Sequence, residues 1–317
     1  MTTSPAVLSR RLLDDLADRG QIRQQWAAAL HAVPGHPFVP ETIYRHERGR
    51  GGNDLVPVRR AEQPDEWLNL VYADQPVNTQ VNNGRPESDG TGREVTSSSS
   101  APTVVAQMLD ELSPRPGERI LEIGSGTGWN AAVLAYLVGA ENVTTVEIDP
   151  AVAAHARTAL DTNGYGKVTT IVGDGAAGWP TGAPYDGVIA TVGVAAIPYA
   201  WVAQTAPDGR IVAPLTGSYQ PPGIVVLVRH GDGTASGRLA GPAAFMPLRA
   251  QHVPRIISSQ YTGSAERTST TYLHPHRYAG DRAAMIAIGL RVPGVVRVWQ
   301  PAGKLGVLWL YAPETRS

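Results

Sequence analysis

The chain contains no cysteine, which removes disulfides, thiolate nucleophiles and cysteine-ligated metals from the chemistry open to it. Charge is scarce and balanced: 17% of the 317 residues are Asp, Glu, Lys or Arg, and the formal net charge is −1. No global basic field points to nucleic acid. No apolar run is long enough to span a bilayer. Met1 to Arg11 lacks the apolar stretch and cleavage-like site of a secretion signal. Neither nucleic acid nor membrane is therefore expected as a partner, no metal site is expected, and the cytoplasm is the expected compartment.

Hydrophobic residues make up 42% of the chain, beside 34 Gly and 26 Pro. That is enough for a sizeable core with many turns, in one large domain or a catalytic domain with a smaller addition. Residues 6–32 space apolar side chains as two helices parted by Gly20. Three prolines between Val33 and Pro40 impose an extended or turning segment. A short strand pair is expected around Leu68, Leu70, Val71 and Tyr72. Asn82 to Arg93, polar and Gly-rich, reads as a mobile segment. A helix follows over about Thr103 to Leu112.

From residue 118 strands and helices alternate. Strands are expected at 119–123, 143–148, 168–172, 185–191 and 210–214, with helices at 130–138, 151–162 and 199–205. This pattern makes a parallel sheet covered by helices on both faces. After Gly217 the pattern changes to extended candidates at 223–228, 252–257, 295–299 and 306–311, with one helix at about 280–290. Three regions are expected: 1–100 as N-terminal helices and a substrate-side segment, 101–217 as the cofactor-binding core, and 218–317 as an appended α+β region.

Leu121-Glu122-Ile123-Gly124-Ser125-Gly126-Thr127-Gly128 places three glycines between a strand and a helix. Glycine there lets the backbone turn sharply and approach a ligand, and the helix N-terminus offers unpaired N–H groups to an anion. A dinucleotide site needs a small residue at position 129. Trp129 is too large, so the loop suits a nucleoside cofactor without a pyrophosphate. Glu147 ends the next strand, where a carboxylate can accept from both ribose hydroxyls. Asp149 with Pro150 reads as a helix cap. Gly173-Asp174-Gly175 ends the third strand, at the level of an adenine amino group. As bland alternatives, Glu147 is a solvated strand-end charge and Asp174 a turn aspartate.

Val33-Pro34, Phe38-Val39-Pro40, Tyr72-Ala73-Asp74, Ser100-Ala101-Pro102, the Leu121–Gly128 loop, Gly173-Asp174-Gly175 and Pro184-Tyr185-Asp186 follow one another in order. Together, over about residues 30–217, they resemble the protein L-isoaspartyl O-methyltransferases. The resemblance implies a Rossmann-like class I methyltransferase fold, α/β with a mostly parallel, doubly wound sheet. It also implies S-adenosyl-L-methionine as cofactor. The implied reaction methylates the free carboxylate of a peptide or protein isoaspartate, and the ester then closes to a succinimide. The candidate catalytic set is Ser100, with Ser99 and Ser98 beside it. The candidate cofactor contacts are Glu122, Gly124, Ser125, Gly126, Thr127 and Gly128 in and before the loop. Beyond it they are Asn130, Glu147, Ile148, Asp174 and Gly175.

A carboxylate is already a nucleophile at neutral pH, so the reaction needs alignment and exclusion of water more than a strong base; proximity alone is worth roughly 7–11 kcal/mol. Ser100 is then a positioner that fixes one carboxylate oxygen. Its bland alternative is a helix cap or part of a flexible linker.

Two features depart from the housekeeping repair enzyme: Ser99 stands where an apolar residue is usual, and about a hundred residues follow the core. With Asp74-Gln75-Pro76-Val77-Asn78-Thr79-Gln80 and the serine run, they resemble an actinobacterial branch. That branch accompanies ribosomally made peptides (graspetides and lanthipeptides) and methylates an ordinary aspartate of a crosslinked precursor peptide, giving an aspartimide. Arg249, His252 and Arg255 are candidate contacts to such a peptide. The competing classes are a general isoaspartate repair enzyme, an inactive peptide-binding relative, an NAD-type oxidoreductase (disfavoured by Trp129) and a nucleic-acid methylase (disfavoured by charge).

Overall fold

A computed structural model describes residues 4–49, 52–251, 270, 272, 280–292, 294–302 and 305–311. The chain opens with helices α1 (Pro5–Asp18) and α2 (Gln24–Ala32), split at Gly20, whose φ is +67°. Ser4 caps α1 by accepting from the Val7 N–H. The helices turn Leu13, Leu16, Trp26 and Leu30 inward.

Next comes a hairpin, β1 (Thr42–Gly49) and β2 (Gly52–Arg59), for which no strand was expected. Charged residues along Arg45 to Arg48 hide the alternation that buries Ile43, Leu55 and Val58. Residues 64–71 form helix α3 (Pro64–Val71) rather than one arm of a strand pair. Its start carries Pro64 at the first turn with Asp65 and Glu66, both favourable at a helix N-terminus. Trp67, Leu68 and Val71 fall on one buried face.

Strands β3 (Val77–Val81) and β4 (Val95–Ser99) complete an antiparallel sheet in the order β2-β1-β3-β4. The serine run is thus a paired strand, with Ser99 opposite Val77 and Ser98 opposite Asn78. The polar Asn82–Arg93 segment is tied down, because the Asn82 side chain accepts from the N–H groups of Arg93 and Glu94 at 3.1 Å each.

The second sheet carries the core. It is built from β5 (Ile120–Ile123), β6 (Val143–Glu147), β7 (Thr169–Val172), β8 (Tyr185–Ala190), β9 (Thr205–Leu215), β10 (Gly223–Arg229) and β11 (Ala235–Gly241). Their order is β11-β10-β9-β8-β5-β6-β7. Strands β5 to β9 run parallel, and β10 and β11 add antiparallel to β9. Helices α4 (Pro102–Leu112), α5 (Trp129–Val138) and α6 (Pro150–Thr162) cover one face, and α7 (Tyr199–Gln204) lies on the other. Leu109, Leu134, Leu160, Ile189 and Val212 pack on the first face; Leu121, Val188, Trp201 and Ile211 pack on the second. This is the α/β, mostly parallel, doubly wound sheet implied by the resemblance.

The sheet continues past residue 217: Ile224 and Val226 of β10 are buried in the same core as α4 and α5. Helix α8 (Arg282–Arg291) and the hairpin β12 (Val296–Ala302) with β13 (Leu305–Tyr311) follow. Arg282 donates to the Pro222 carbonyl and Ser218 to that of Val295, tying them to the 218–222 loop. His252–Ile257, with His252 and Arg255, lies outside the described residues. No helix among the described residues is long and apolar enough to cross a membrane. No group of metal-ligating side chains occurs among them.

Candidate active site

Chain order reverses beside β5: it runs through β6 and β7 on one side and β8 and β9 on the other. Open α/β sheets bind ligands at that switch point, outside the carboxyl ends of the strands. Here the ends of β5, β6 and β8 line a cleft of ≈ 760 Å³, counting its open mouth.

The glycine loop forms its floor. Gly124 has φ +92°, and a Cβ there would stand 2.9 Å from Thr191 Oγ1 and Val192 Cγ1. Gly128 has φ +84°, and its Cβ would meet the Ala156 backbone at 3.1–3.3 Å, so only glycine lets α5 begin against α6. Ser125, Gly126, Thr127, Asn130, Glu147, Ile148 and Gly175 all line the cleft with the loop.

Glu147 is mostly withdrawn from solvent. Its Oε2 accepts from the Gly126 N–H at 3.2 Å and its Oε1 from the Asp149 N–H at 3.1 Å. Burial raises its pKa, opposed by these N–H groups and by Arg249. Asp149 caps α6, accepting from the Ala151 and Val152 N–H groups. Its other oxygen takes Gln80 Nε2 at 3.1 Å and Arg249 Nη2 at 3.3 Å. Arg249 thus closes one end of the cleft, held there by Asp149.

Three expected contacts stand elsewhere: Gly128, which packs α5 on α6, Glu122 and Asp174 do not line the cleft. Glu122 is fully buried beneath the loop and does not line the cleft. Alternation along β5 turns it towards α5, where its oxygens accept from Asn130 Nδ2 and Thr145 Oγ1 at 2.6 Å each. Burial raises its pKa to about 7. It braces the loop from below, through Thr145 to Ser125 Oγ at 2.6 Å. Asp174 is exposed at the rim, its Oδ1 accepting from the Ala176 N–H, while its neighbour Gly175 lines the cleft.

Ser98, Ser99 and Ser100 form the wall next to the loop. Ser99 is buried and accepts from Thr127 Oγ1 at 3.4 Å. The Ser98 carbonyl lies over Gly126, 3.1 Å from where a Cβ would stand. Ser100 does not cap α4, as its place before Pro102 suggested. That bond comes from Asp74, which takes the Thr103 N–H at 3.0 Å and its hydroxyl at 2.6 Å. The Ser100 hydroxyl has no protein partner among the described residues and stands at the cleft wall. Trp129, passed over as a site residue, also lines the cleft and anchors the N-terminal segment through Nε1 to the Val33 carbonyl at 2.8 Å.

The lining fits a nucleoside carrying a sulfonium and a carboxylate: a glycine floor open to close approach, an acceptor carboxylate at the end of β6, and no bulky side chain on the loop itself. Among the described residues that line the cleft, Glu147 and Arg249 are the only charged ones, and neither His nor Lys is present.

Comparison with known proteins agrees. A family model described as Protein-L-isoaspartate(D-aspartate) O-methyltransferase matches residues 53–253. A protein-L-isoaspartate O-methyltransferase of Methanopyrus kandleri is 34% identical, over 75% of this chain and 89% of that protein. Among solved structures, a protein-L-isoaspartate O-methyltransferase superposes with a TM-score of 0.58 at 23% identity, over 75% of this chain and 65% of that one. A protein-L-isoaspartate O-methyltransferase from Plasmodium falciparum, in complex with S-adenosyl-L-homocysteine, gives 0.56 at 16% identity, over 75% of this chain and 97% of that one. These two likenesses bear on the fold.

Proposed function

Because the chain belongs to the protein-L-isoaspartate O-methyltransferase family, we propose that Ser100 presents the free carboxylate of an isoaspartyl residue to a methyl donor held over the Gly124–Gly128 loop. The enzyme is S-adenosylmethionine-dependent. The loop, Glu147 and Gly175 are the residues that would hold the cofactor. When bound, it supplies an electrophilic methyl group on a sulfonium.

The observation that carries the reading is the uncommitted Ser100 hydroxyl on the wall of a cleft whose described lining holds neither His nor Lys. A carboxylate acceptor needs no base to deprotonate it, and this wall offers none. Ser100 donates to one carboxylate oxygen and leaves the other facing the donor. Ser99 and Thr127 hold the wall against the loop, and Trp129 closes the apolar side against water. The ester so formed closes to a succinimide without further help from the protein. The cytoplasm is the compartment that goes with this role.

Replacing Ser100 tests it. Removing a hydrogen bond to a charged group costs about 1.5–3 kcal/mol, so Ser100→Ala should lower kcat/KM roughly 10- to 100-fold. Affinity for S-adenosylhomocysteine should stay near wild type. Unchanged turnover, or loss of cofactor binding, would contradict the assigned role.

A second reading is maturation of a crosslinked ribosomal peptide at an aspartate. It is favoured by residues 254–317, which lie beyond the family match and add α8 and the β12–β13 hairpin. Methyl transfer to such a precursor, with an isoaspartyl peptide left unmodified, would decide for it.

A further inference from the structure

A second cavity, ≈ 430 Å³ counting its mouth, lies on the other side of the serine wall. Ser99, Ser100 and Trp129 line both cavities. Beside Pro102 of α4, the rest of its described lining comes from the N-terminal elements, chiefly Leu12 and Leu13 of α1, Leu30 of α2, Val39, Val71 of α3 and Val77 of β3. None of the described residues lining it is charged. Tyr72 sets its one phenol there, 2.5 Å from His36 Nδ1. Burial pushes that phenol up to about 12 and, with Arg60, pulls His36 down, so both groups stay neutral at physiological pH. Gln75 is exposed at the mouth.

The acceptor carboxylate, on the reading above, meets the methyl donor at Ser100. A cavity that opens from the same serine lies within one residue's reach of that carboxylate along a peptide. We propose that this cavity is a specificity subsite taking the aliphatic side chain of the residue adjacent to the methylated one. The inference rests on the proposed acceptor role of Ser100. A leucine-sized side chain gains there by leaving water. An aspartate would lose its hydration and meet no cation among the described lining residues.

The test uses the full chain loaded with S-adenosylhomocysteine and labelled isoaspartyl peptides with Leu, Ala, Lys or Asp on either side of the acceptor. Affinity is read by fluorescence anisotropy, and kcat/KM is measured in parallel with the methyl donor. The Leu-flanked peptide should bind at least tenfold tighter than the Asp-flanked one, with the difference in KM rather than kcat. Leu12→Trp, which fills the cavity from a half-buried position, should erase the preference. Gln75→Lys, at an exposed site that leaves the fold alone, should move it at least threefold towards the Asp flank. Equal affinity for all flanks, or a preference that both variants leave unchanged, would overturn the subsite. Peptides that bind with the Leu preference but accept no methyl would keep the subsite and refute the proposed reaction. Absence of both binding and transfer would refute both.

Discussion

Two carboxylates on neighbouring strands, Glu122 of β5 and Glu147 of β6, show how position decides what a residue does. Glu122 is held below the glycine loop by Asn130 and Thr145. Its pKa is about 7 when folded against 4.5 in the unfolded chain. Between those values the folded chain keeps a proton that the unfolded chain has lost. Stability therefore falls as pH rises from 4.5 to 7 and levels off above it. Glu122→Gln keeps an acceptor for Asn130 and removes the titration. It should abolish that pH dependence, worth about 3 kcal/mol at most, in urea unfolding followed across pH. Glu147 faces the cleft, and its pKa too is raised by burial. As pH falls from neutral, it takes up a proton before an ordinary glutamate would. Cofactor affinity measured by calorimetry should weaken already above pH 4.5; an affinity flat to that point would refute the ribose contact. Gly124→Ala should abolish cofactor binding, since its Cβ would meet Thr191 and Val192 at 2.9 Å from a φ of +92°.

At the scale of elements, the serine wall depends on the start of α4. Asp74 supplies the cap from across the chain, so Asp74→Ala should cost about 1 kcal/mol of stability and lower kcat more than cofactor affinity. An equal loss in both would mean that the cap does not set the wall. The alternation from β5 to β9 was legible, because buried parallel strands are continuous apolar runs and glycine turns punctuate them. Gly124 to Gly128 and Glu147 were legible for the same reason. The N-terminal sheet was not. β4 ends in three serines that look like a linker, and only pairing with β3 and contact with Thr127 make them part of a strand. The charged edge of β1 concealed a hairpin, while Pro64-Asp65-Glu66 was a helix signal outweighed by the apolar cluster after it. Glu122 sits inside the glycine motif, so motif reading grouped it with the ligand contacts. Only strand alternation, which turns it towards α5, separates it from them.

At the scale of the molecule, two layers built from distant parts of the sequence meet at one wall. The N-terminal sheet brings Ser98 to Ser100, and the parallel sheet brings the loop and Glu147. Strands β10 and β11 belong to the second layer, so a chain ending at 217 would lose Ile224 and Val226 from the core. It should fail to fold, by circular dichroism and gel filtration. A chain ending at 253 keeps every strand of that sheet and should still bind S-adenosylhomocysteine. If it binds cofactor but loses only a crosslinked precursor peptide as substrate, the segment beyond serves recognition, as the second reading holds.

The central claim is methyl transfer to a peptide carboxylate. Its most direct measurement is mass spectrometry of matched isoaspartyl and aspartyl peptides after incubation with the chain and S-adenosylmethionine. The isoaspartyl peptide should gain the mass of one CH2, a methyl group replacing the carboxyl hydrogen, and then lose methanol as the succinimide forms, with the aspartyl peptide unchanged. No mass gain on the isoaspartyl peptide, from protein that binds the cofactor, would contradict the account.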